Sequence, residues 1–342
     1  MKPLSPKSLE KKYAELGLPK AKTDLLHDYF LCFANLYGML EVREAWNVFK
    51  HFEGNKIRKK DFIAFSGIVQ REPDLPYSIL ELNEVYADEP AGMSDMRLIV
   101  NNDLIGLGYR KYVRIYHLAD SSADKPIWLP DSKEELLTFM TDQFYLSPEG
   151  KEMAEFLSKL KTDGVFKNYD GKPKGEILDI DGNPVKGKCL SDFVFYTHDE
   201  QFAIDYYKSE AKKEALRRLY KETALKKILD YIRTDIQIGD HISNGIWDDL
   251  HYTLNYLGND LGVVLTEKQL EQCVELYTNL NNHSHLWQNC GWKPHDLFRA
   301  TNSGLPKSIS IGPNLQKLFD SGEMDREEFE NGLRQMGIKL IQ

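Results

Sequence analysis

Residues 162–192 interrupt an otherwise helical pattern, and this interruption constrains how the 342-residue chain can be organised. The tract is rich in glycine, contains two prolines and shows little helical periodicity, which is typical of turns and short strands. Segments 175–179 and 184–189 flank Asp181-Gly182-Asn183, and this arrangement predicts a β-hairpin. Because domains usually contain about 100 to 150 residues, we place a domain boundary in this tract.

The residues before this tract contain a distinctive order of predicted elements. Helical patterns of apolar residues cover residues 24–37, Glu41 to Phe52 and Lys59 to Val69. Two strand-like runs follow, from Tyr77 to Tyr86 and from Met96 to Asn101. Three short helices followed by a two-stranded ribbon are the element order of a winged helix-turn-helix. We therefore expect a winged-helix-like unit over residues 1–105.

The rest of the chain is predicted to be mainly helical. We expect a helical segment over residues 106–161, a β-hairpin insertion or linker over 162–197 and a C-terminal helical domain over 198–342. Within the last domain, the apolar spacing predicts one amphipathic helix from Lys208 to Arg233. The predicted fold class is therefore mainly α with minor β, with a winged-helix-like N-terminal unit and a C-terminal helical domain.

The net charge of −9 is distributed unevenly along the chain. Residues 1–75 carry a net charge of +3, residues 76–165 carry −7, residues 166–237 carry +1 and residues 238–342 carry −6. An acidic chain is repelled by phosphate at long range, so nucleic-acid binding would require a local basic face. The overall acidity thus favours a protein partner over nucleic acid.

Two local clusters of basic residues are candidate binding sites for nucleic acid or for an acidic partner. The first cluster consists of Arg58, Lys59 and Lys60. It lies at the start of the helix that would be the recognition helix of a winged helix. The second cluster consists of Lys212, Lys213, Arg217 and Arg218. It belongs to residues 208–227, which carry a net charge of +5. The alternative for both clusters is a solvated helix face that pairs with acidic residues of the same chain.

Residues 276–297 read Leu-Tyr-Thr-Asn-Leu-Asn-Asn-His-Ser-His-Leu-Trp-Gln-Asn-Cys-Gly-Trp-Lys-Pro-His-Asp-Leu. This run resembles the signature Leu-Asn-Asn-x-x-x-Leu-Trp-x-Asn-x-Gly-x-x-Pro-x-x-Leu of uncharacterised proteins from Gram-positive bacteria. The order of the segments Ala34 to Gly38, Phe62 to Phe65 and Tyr77 to Tyr86 is similar to those proteins as well. Many of them carry a SEC-C zinc knuckle after the signature, but this sequence has no Cys-x-Cys pair and no cysteine after Cys290. The resemblance therefore implies a fold, without an activity and without the zinc knuckle.

The same run predicts a tight corner after the end of a helix. Asn281 and Asn282 tolerate left-handed backbone conformations, and Gly291 permits a positive φ. Pro294 is suited to start the next helix, and Trp287 would supply a large buried anchor. We expect these five residues to form a structural corner, and a pocket for a ligand or partner is the alternative.

The densest set of potential metal ligands lies in this run too. His283, His285, Cys290 and His295 offer imidazole and thiolate groups, which zinc accepts. Their spacing, His-x-His-x4-Cys-x4-His, matches no common zinc pattern. We therefore expect no cofactor and keep zinc at this cluster, as the centre of a metal-dependent hydrolase, as an alternative.

The sequence lacks the motifs of common enzyme classes, with no Gly-x-Ser-x-Gly, no phosphate-binding loop and no dinucleotide fingerprint. No apolar run reaches the ~18 to 20 residues that span a bilayer, and the four widely spaced cysteines predict reduced thiols. We expect a cytoplasmic, non-enzymatic binding or regulatory protein that docks an unidentified protein partner and does not act at a membrane. Nucleic-acid binding through the winged helix is the first alternative.

Overall fold

A computed structural model describes residues 3–86, 92–106, 111–168, 170–238 and 246–301, together with short pieces between residues 308 and 341. These residues are mainly helical and contain three small β-sheets, so the predicted class of mainly α with minor β is confirmed. None of the helices described is both long and apolar enough to cross a bilayer.

The N-terminal part combines five helices with a three-stranded sheet. In chain order, the elements are α1 (Pro6–Leu16), α2 (Lys20–Tyr37), β1 (Met39–Glu41), α3 (Val42–Glu53), α4 (Lys59–Val69), β2 (Tyr77–Leu80), α5 (Leu82–Val85) and β3 (Leu98–Asn101). The apolar spacing predicts the observed bounds of α4. The C-cap of α2 is Gly38, whose φ of 68° is accessible to glycine without steric cost.

The three strands form an antiparallel sheet in the order β1-β3-β2. At its centre, Ile99 lies opposite Leu40 on one side and Ile79 on the other. Because successive side chains of a strand point to opposite faces, Ile99 packs against α2 to α4, whereas Leu98 and Val100 pack on the other face. Both faces of the sheet are therefore buried, which explains the unbroken apolar run of β3.

Two features of the N-terminal part differ from the sequence-based prediction. The sequence pattern indicates no strand at Met39–Glu41, yet β1 forms there because β3 supplies its hydrogen-bonding partner. The extended run predicted from Tyr77 to Tyr86 is a strand only as far as Leu80. The chain then turns into α5, whose first turn is closed by a capping box between Glu81 and Glu84.

The remainder of the chain adds nine helices and two short strand pairs within the described residues. In chain order, the elements are α6 (Val113–Ser122), α7 (Lys133–Thr138), α8 (Pro148–Ser158), β4 (Val165–Lys167), β5 (Pro173–Glu176), α9 (His198–Tyr206), α10 (Glu210–Leu219), α11 (Ala224–Ile238), α12 (Ile246–Asn255), α13 (Glu267–His283), α14 (Pro294–Thr301), β6 (Ser308–Ser310) and β7 (Lys339–Ile341). A π-helical turn, Tyr256–Asp260, follows α12 directly.

The glycine-rich tract forms a hairpin, but its strands lie upstream of the predicted ones. β4 pairs with β5, and of the predicted pairing the single bridge between Leu178 and Pro184 is present. Ile177, Val185 and Leu190 from this tract are buried in the same core as α8 and α11. The tract is therefore packed into the C-terminal part of the fold.

The single amphipathic helix predicted from Lys208 to Arg233 is wrong, because two helices, α10 and α11, occupy this range. At the break, the backbone N–H groups of Ala224 and Leu225 donate to the carbonyl oxygens of Phe193 and Leu190, at 3.1 and 2.9 Å, respectively. These bonds to a distant segment replace the helical bonds that a continuous helix would require.

Three hydrophobic cores organise the described residues. The N-terminal core lies between α2, α3, α4 and one face of the sheet, and the C-terminal core lies between α8, α11, α12 and α13. The junction core contains Leu98, Val100, Leu118, Ile238 and Trp287. It therefore joins the second face of the sheet to α6, to the end of α11 and to the turn after α13.

Candidate functional site

The first basic cluster lies at the start of α4. Arg58 is the N-cap residue, and its guanidinium donates two hydrogen bonds to the carboxylate of Asp61, at 2.6 and 3.0 Å. The ammonium of Lys59 lies 3.5 Å from the carboxylate of Asp95. Lys60 is exposed and has no ion pair within the described ranges. Two of the three predicted cations are thus partly neutralised by carboxylates of the same chain.

Other segments of the chain lie against α4. The guanidinium of Arg97 packs over Gly67 so closely that a Cβ atom at this glycine would lie 2.9 Å from Nη1. Arg97 also pairs with Glu81, at 2.7 Å. α1 packs on α4 as well, with 6.1 Å between the ring centroids of Tyr13 and Phe65. A nucleic-acid duplex would therefore meet a helix that its own chain partly covers.

The second basic cluster lies on α10, a helix without a buried residue. The charged groups of Lys213 and Arg217 lie 3.4 and 3.8 Å from the carboxylate of Glu210. Arg218 lies 3.1 Å from the carboxylate of Glu214. Exposed ion pairs of this kind contribute little stability. The helix has more cations than carboxylates, so it keeps an excess of positive charge.

Large apolar side chains are exposed beside this cluster. Phe202 and Tyr206, one turn apart on α9, are 67% and 75% exposed, and Leu219 at the end of α10 is 65% exposed. The ammonium of Lys212 lies 5.1 Å from the centroid of the Tyr207 ring, within the range of a cation–π interaction. We call Phe202, Tyr206, Leu219 and the four cations of α10 the α9–α10 surface.

The four potential zinc ligands contact different parts of the chain. His283 donates from Nδ1 to the carbonyl oxygen of Asn279 at 2.8 Å, whereas Nδ1 of His295 lies 3.6 Å from the carboxylate of Asp296. Among the residues that the structure describes, no three or more His, Cys, Asp or Glu side chains are grouped so as to hold a metal ion. Zinc binding here stays a sequence-based hypothesis.

The other two potential ligands, His285 and Cys290, pack inside the fold. The ring centroid of His285 lies 4.1 Å from that of Trp128, and its Nδ1 donates to the carbonyl oxygen of Gly291 at 2.7 Å. The Sγ atom of Cys290 lies 3.6 Å from the carbonyl oxygen of Ser122. Burial lowers the pKa of His285 and raises the pKa of the Cys290 thiol. Burial thus favours the neutral form of both groups.

Trp287, Gly291 and Pro294 lie in the turn that connects α13 to α14. Gly291 has a φ of 84° and approaches the Tyr37 ring so closely that a Cβ atom would lie 2.9 Å from it. Pro294 is the first residue of α14. The buried indole of Trp287 donates from Nε1 to the backbone carbonyl oxygen of Asn35 at 2.8 Å. These contacts attach the turn to α2.

Asn281 and Asn282 do not adopt the left-handed conformation that asparagine tolerates. Both residues are helical, because α13 continues to His283. The left-handed positions are instead Cys290, with a φ of 51°, and Gly291. The reversal therefore comes after a short 3₁₀ turn and later than the asparagine pair suggests.

Polar groups of this turn form hydrogen bonds with other residues of the same chain. The side-chain amide of Gln237 accepts from the N–H of Trp287 at 2.8 Å and donates to the carbonyl oxygen of His285 at 3.1 Å. Lys125 donates to the carbonyl oxygen of Gln288 at 2.8 Å. Burial lowers the pKa of Lys125. This internal bonding favours a structural corner over a ligand pocket.

A cleft of about 1340 Å³ runs along α11 and is also bounded by α6, the β4–β5 hairpin, the start of α9 and the π-helical turn. It exceeds the ~300 to 1,000 Å³ of typical small-molecule pockets. This cleft was not predicted from the sequence. One sequence pattern could have indicated its lining: Tyr252 and Tyr256 are four residues apart, as are Asn255 and Asn259, so each pair lies on one side of a helix.

Strongly buried cations in this cleft are paired. Lys227, whose side chain is 5% exposed, lies 2.6 Å from the carboxylate of Glu200. Arg233 pairs with Asp103 and with Asp142, the latter at 2.7 Å. Coulombic attraction and hydrogen bonding from these aspartates raise the pKa of Arg233 against the opposing effect of burial. The buried cations of this cleft are therefore compensated by carboxylates of the same chain.

Comparisons with protein-family models, with curated proteins and with solved structures give no match. The residues of this chain are therefore the basis for proposing its function.

Proposed function

We propose that this protein is a non-enzymatic binding protein that docks an acidic protein partner through the α9–α10 surface. The observation that carries the proposal is the exposure of Phe202, Tyr206 and Leu219, each at least 65% exposed, on two helices that pack against each other. Burial of apolar surface is worth about 25 cal/mol per Å², so a partner that covers these side chains gains binding energy. Exposed apolar side chains that form a contiguous patch are typical of interaction surfaces.

The charge of the surface supports an acidic partner. Residues 206–221 contain six basic and two acidic residues, a net charge of +4 in a chain of net charge −9. Complementary charges around an apolar centre accelerate association and exclude wrong partners. A partner with carboxylates around an apolar patch fits both properties of the α9–α10 surface.

The test is an affinity purification. The full-length chain is immobilised and captures binding partners from a lysate of the cells that naturally produce it. Each protein recovered is then purified, and its affinity is measured by calorimetry at low and high salt. We expect an acidic partner whose affinity falls with salt and whose Kd rises about 10- to 100-fold for the double variant Phe202→Ala, Tyr206→Ala. Leu270→Ala, which removes a side chain of 41% exposure on α13, is the matched control and should bind as the wild type does.

Two outcomes would contradict the proposal. Equal affinity of a purified partner for the wild type and the double variant would exclude the α9–α10 surface as the docking site. Light scattering that detects a dimer of the wild type and a monomer of the double variant would identify a second copy of this chain as the occupant instead.

Nucleic-acid binding is a second candidate, and the topology of the N-terminal part favours it. The order from α2 to β3 is helix, strand, helix, helix, strand, short helix, strand, and the sheet order is β1-β3-β2. Apart from the short α5, this is the arrangement of a winged helix. α4 would then be the recognition helix, with Lys59 and Lys60 near phosphates. The pairs of Arg58 with Asp61 and of Lys59 with Asp95 weigh against this function.

Fluorescence anisotropy with a random-sequence DNA duplex at about 50 mM salt tests this candidate. Binding that weakens with salt and disappears in the double variant Lys59→Glu, Lys60→Glu would support it. A wild-type protein that does not bind the duplex at this salt concentration would exclude it.

A further inference from the structure

The three cations that α11 contributes to the cleft, Lys226, Lys227 and Arg233, are paired with carboxylates, which limits the ligands that this wall accepts. Lys227 holds Glu200, and Lys226 pairs with Asp230 across one turn of α11. Arg233 is held in the same way by two aspartates. A phosphate or carboxylate ligand would have to compete with these internal partners and would bring its own desolvation cost. The pairing thus disfavours nucleotides and other strongly anionic ligands.

Aromatic rings provide the flat apolar area of the cleft. Tyr231 and Tyr256 stack in parallel, with centroids 4.7 Å apart and planes 7° apart. Tyr252, one turn before Tyr256, is 40% exposed. A second parallel pair, Phe166 and His198, has centroids 6.3 Å apart and planes 11° apart. Flat rings pack against flat apolar faces, and the C–H faces of sugar rings are such surfaces.

Two side-chain amides lie next to these tyrosines. Asn255 and Asn259 line the cleft, and neither side chain forms a hydrogen bond to a residue that the structure describes. Asn259 belongs to the π-helical turn, and such turns occur frequently at functional sites. An amide both donates and accepts hydrogen bonds, as a sugar hydroxyl does. The amides therefore complement hydroxyl groups of a ligand that packs on the tyrosines.

The lining also disfavours a peptide. Peptide grooves bind anchor side chains in apolar pockets, but Ile238 is the only aliphatic side chain among the described residues that line this cleft. The volume of about 1340 Å³ exceeds that of a usual small-molecule site, so a ligand that fills the cleft is larger than a single sugar ring.

We propose that the cleft along α11 binds a neutral oligosaccharide. Its ring faces pack on Tyr252 and the adjacent tyrosine stack, and its hydroxyl groups form hydrogen bonds with Asn255 and Asn259. This activity goes beyond partner docking, because none of these residues belongs to the α9–α10 surface.

The test is calorimetric titration of the full-length protein with three neutral hexasaccharides of different linkage: maltohexaose, cellohexaose and N-acetylated chitohexaose. We expect at least one to bind saturably with a Kd of about 1 mM or tighter. Tyr252→Ala and Asn259→Ala should each weaken this binding about tenfold. Tyr206→Ala is the matched control, because it removes an exposed tyrosine outside the cleft and should leave the binding unchanged.

The proposal is overturned if none of the three hexasaccharides binds with that affinity, or if both cleft variants bind as tightly as the wild type. Circular dichroism of each variant verifies that it is folded. Because Tyr206 belongs to the α9–α10 surface and Tyr252 lines the cleft, failure of the sugar titration leaves the docking test intact. The reverse holds for failure of the docking test.

Discussion

The indole Nε1 of Trp287 donates a hydrogen bond to the backbone carbonyl oxygen of Asn35 at 2.8 Å, across 252 residues of sequence. The guanidinium of Arg233 lies 5.0 Å from the ring of Trp287. The Trp287 backbone N–H is bonded to the side chain of Gln237. One residue therefore contacts both α2 and α11, and it links the N-terminal and C-terminal parts of the fold.

We predict that Trp287→Phe lowers the free energy of unfolding by about 2 to 3 kcal/mol, because it removes a buried hydrogen-bond donor and part of a packed ring. The measurement is urea denaturation. Trp292→Phe is the matched control: Nε1 of Trp292 also donates to a backbone carbonyl oxygen, that of Pro126 at 2.8 Å, but at an exposed site. We expect the control to lose less than about 1 kcal/mol. Equal losses would contradict the special role of Trp287.

Gly38 and Gly17 are both helix C-cap residues with a positive φ, 68° and 69°, and their ψ values are −47° and 16°. A Cβ atom at Gly38 would lie 2.5 Å from Cδ2 of Trp287, whereas a Cβ atom at Gly17 would meet no atom within 4 Å. Gly17→Ala should lower the free energy of unfolding by about 1 kcal/mol, because alanine is strained at a positive φ. Gly38→Ala should cost about 1 to 3 kcal/mol more, through the clash and through the less favourable ψ of Gly38. Thermal or urea unfolding measures the difference, and a difference of zero would mean that the indole moves aside freely.

Arg233→Ala should lower the free energy of unfolding by about 2 to 4 kcal/mol. The substitution leaves Asp103 and Asp142 without their buried cation and removes the guanidinium that lies over the Trp287 ring. Lys226→Ala on the same helix breaks an exposed pair with Asp230 and should cost less than about 1 kcal/mol. Chemical denaturation of the two variants provides the comparison, and similar losses would refute this ranking.

Two partly buried histidines should make the stability of the fold depend on pH. His27 contacts the hydroxyl groups of Tyr77 and Tyr13, at 2.8 and 3.1 Å, and burial lowers the pKa of His27 and that of His285 below 6.5. The unfolded chain therefore takes up these protons more readily than the folded chain. The contribution of the two histidines to the free energy of unfolding is complete above pH 6.5, and it is lost as the pH falls through their folded pKa values.

Urea denaturation between about pH 5.5 and pH 7.5 measures this dependence. The double variant His27→Gln, His285→Gln should have a flatter profile than the wild type, whatever its absolute stability. Parallel profiles of the two proteins would show that other groups control the dependence.

The bounds of a helix could be predicted from the local sequence where the contacts that stabilise them are also local. The bounds of α4 follow from apolar residues at helical spacing. The start of α8 follows from Ser147, whose side chain accepts a hydrogen bond from the backbone N–H of Gly150, and from Pro148 at the first position. In each case the groups that decide the structure lie within a few residues of each other.

Elements that depend on distant partners were not predictable in this way. β1 has three residues and exists because β3, about sixty positions later, bonds to it. The break before α11 exists because Phe193 and Leu190 accept its first N–H groups. Neither partner leaves a signal in the local pattern, so the sequence favoured no strand at the first site and a continuous helix at the second.

The sequence by itself determined the mainly helical class, the order of the helices α2 to α4 and the presence of two basic clusters, because periodicity and charge are properties of neighbouring residues. Only the tertiary structure decided that Arg58 and Lys59 are held by carboxylates, that the residues from His283 to His295 point to separate partners, and that Tyr231 meets Tyr256 in one cleft. Those relationships arise when buried apolar faces bring remote segments together, and spacing along the chain does not encode them.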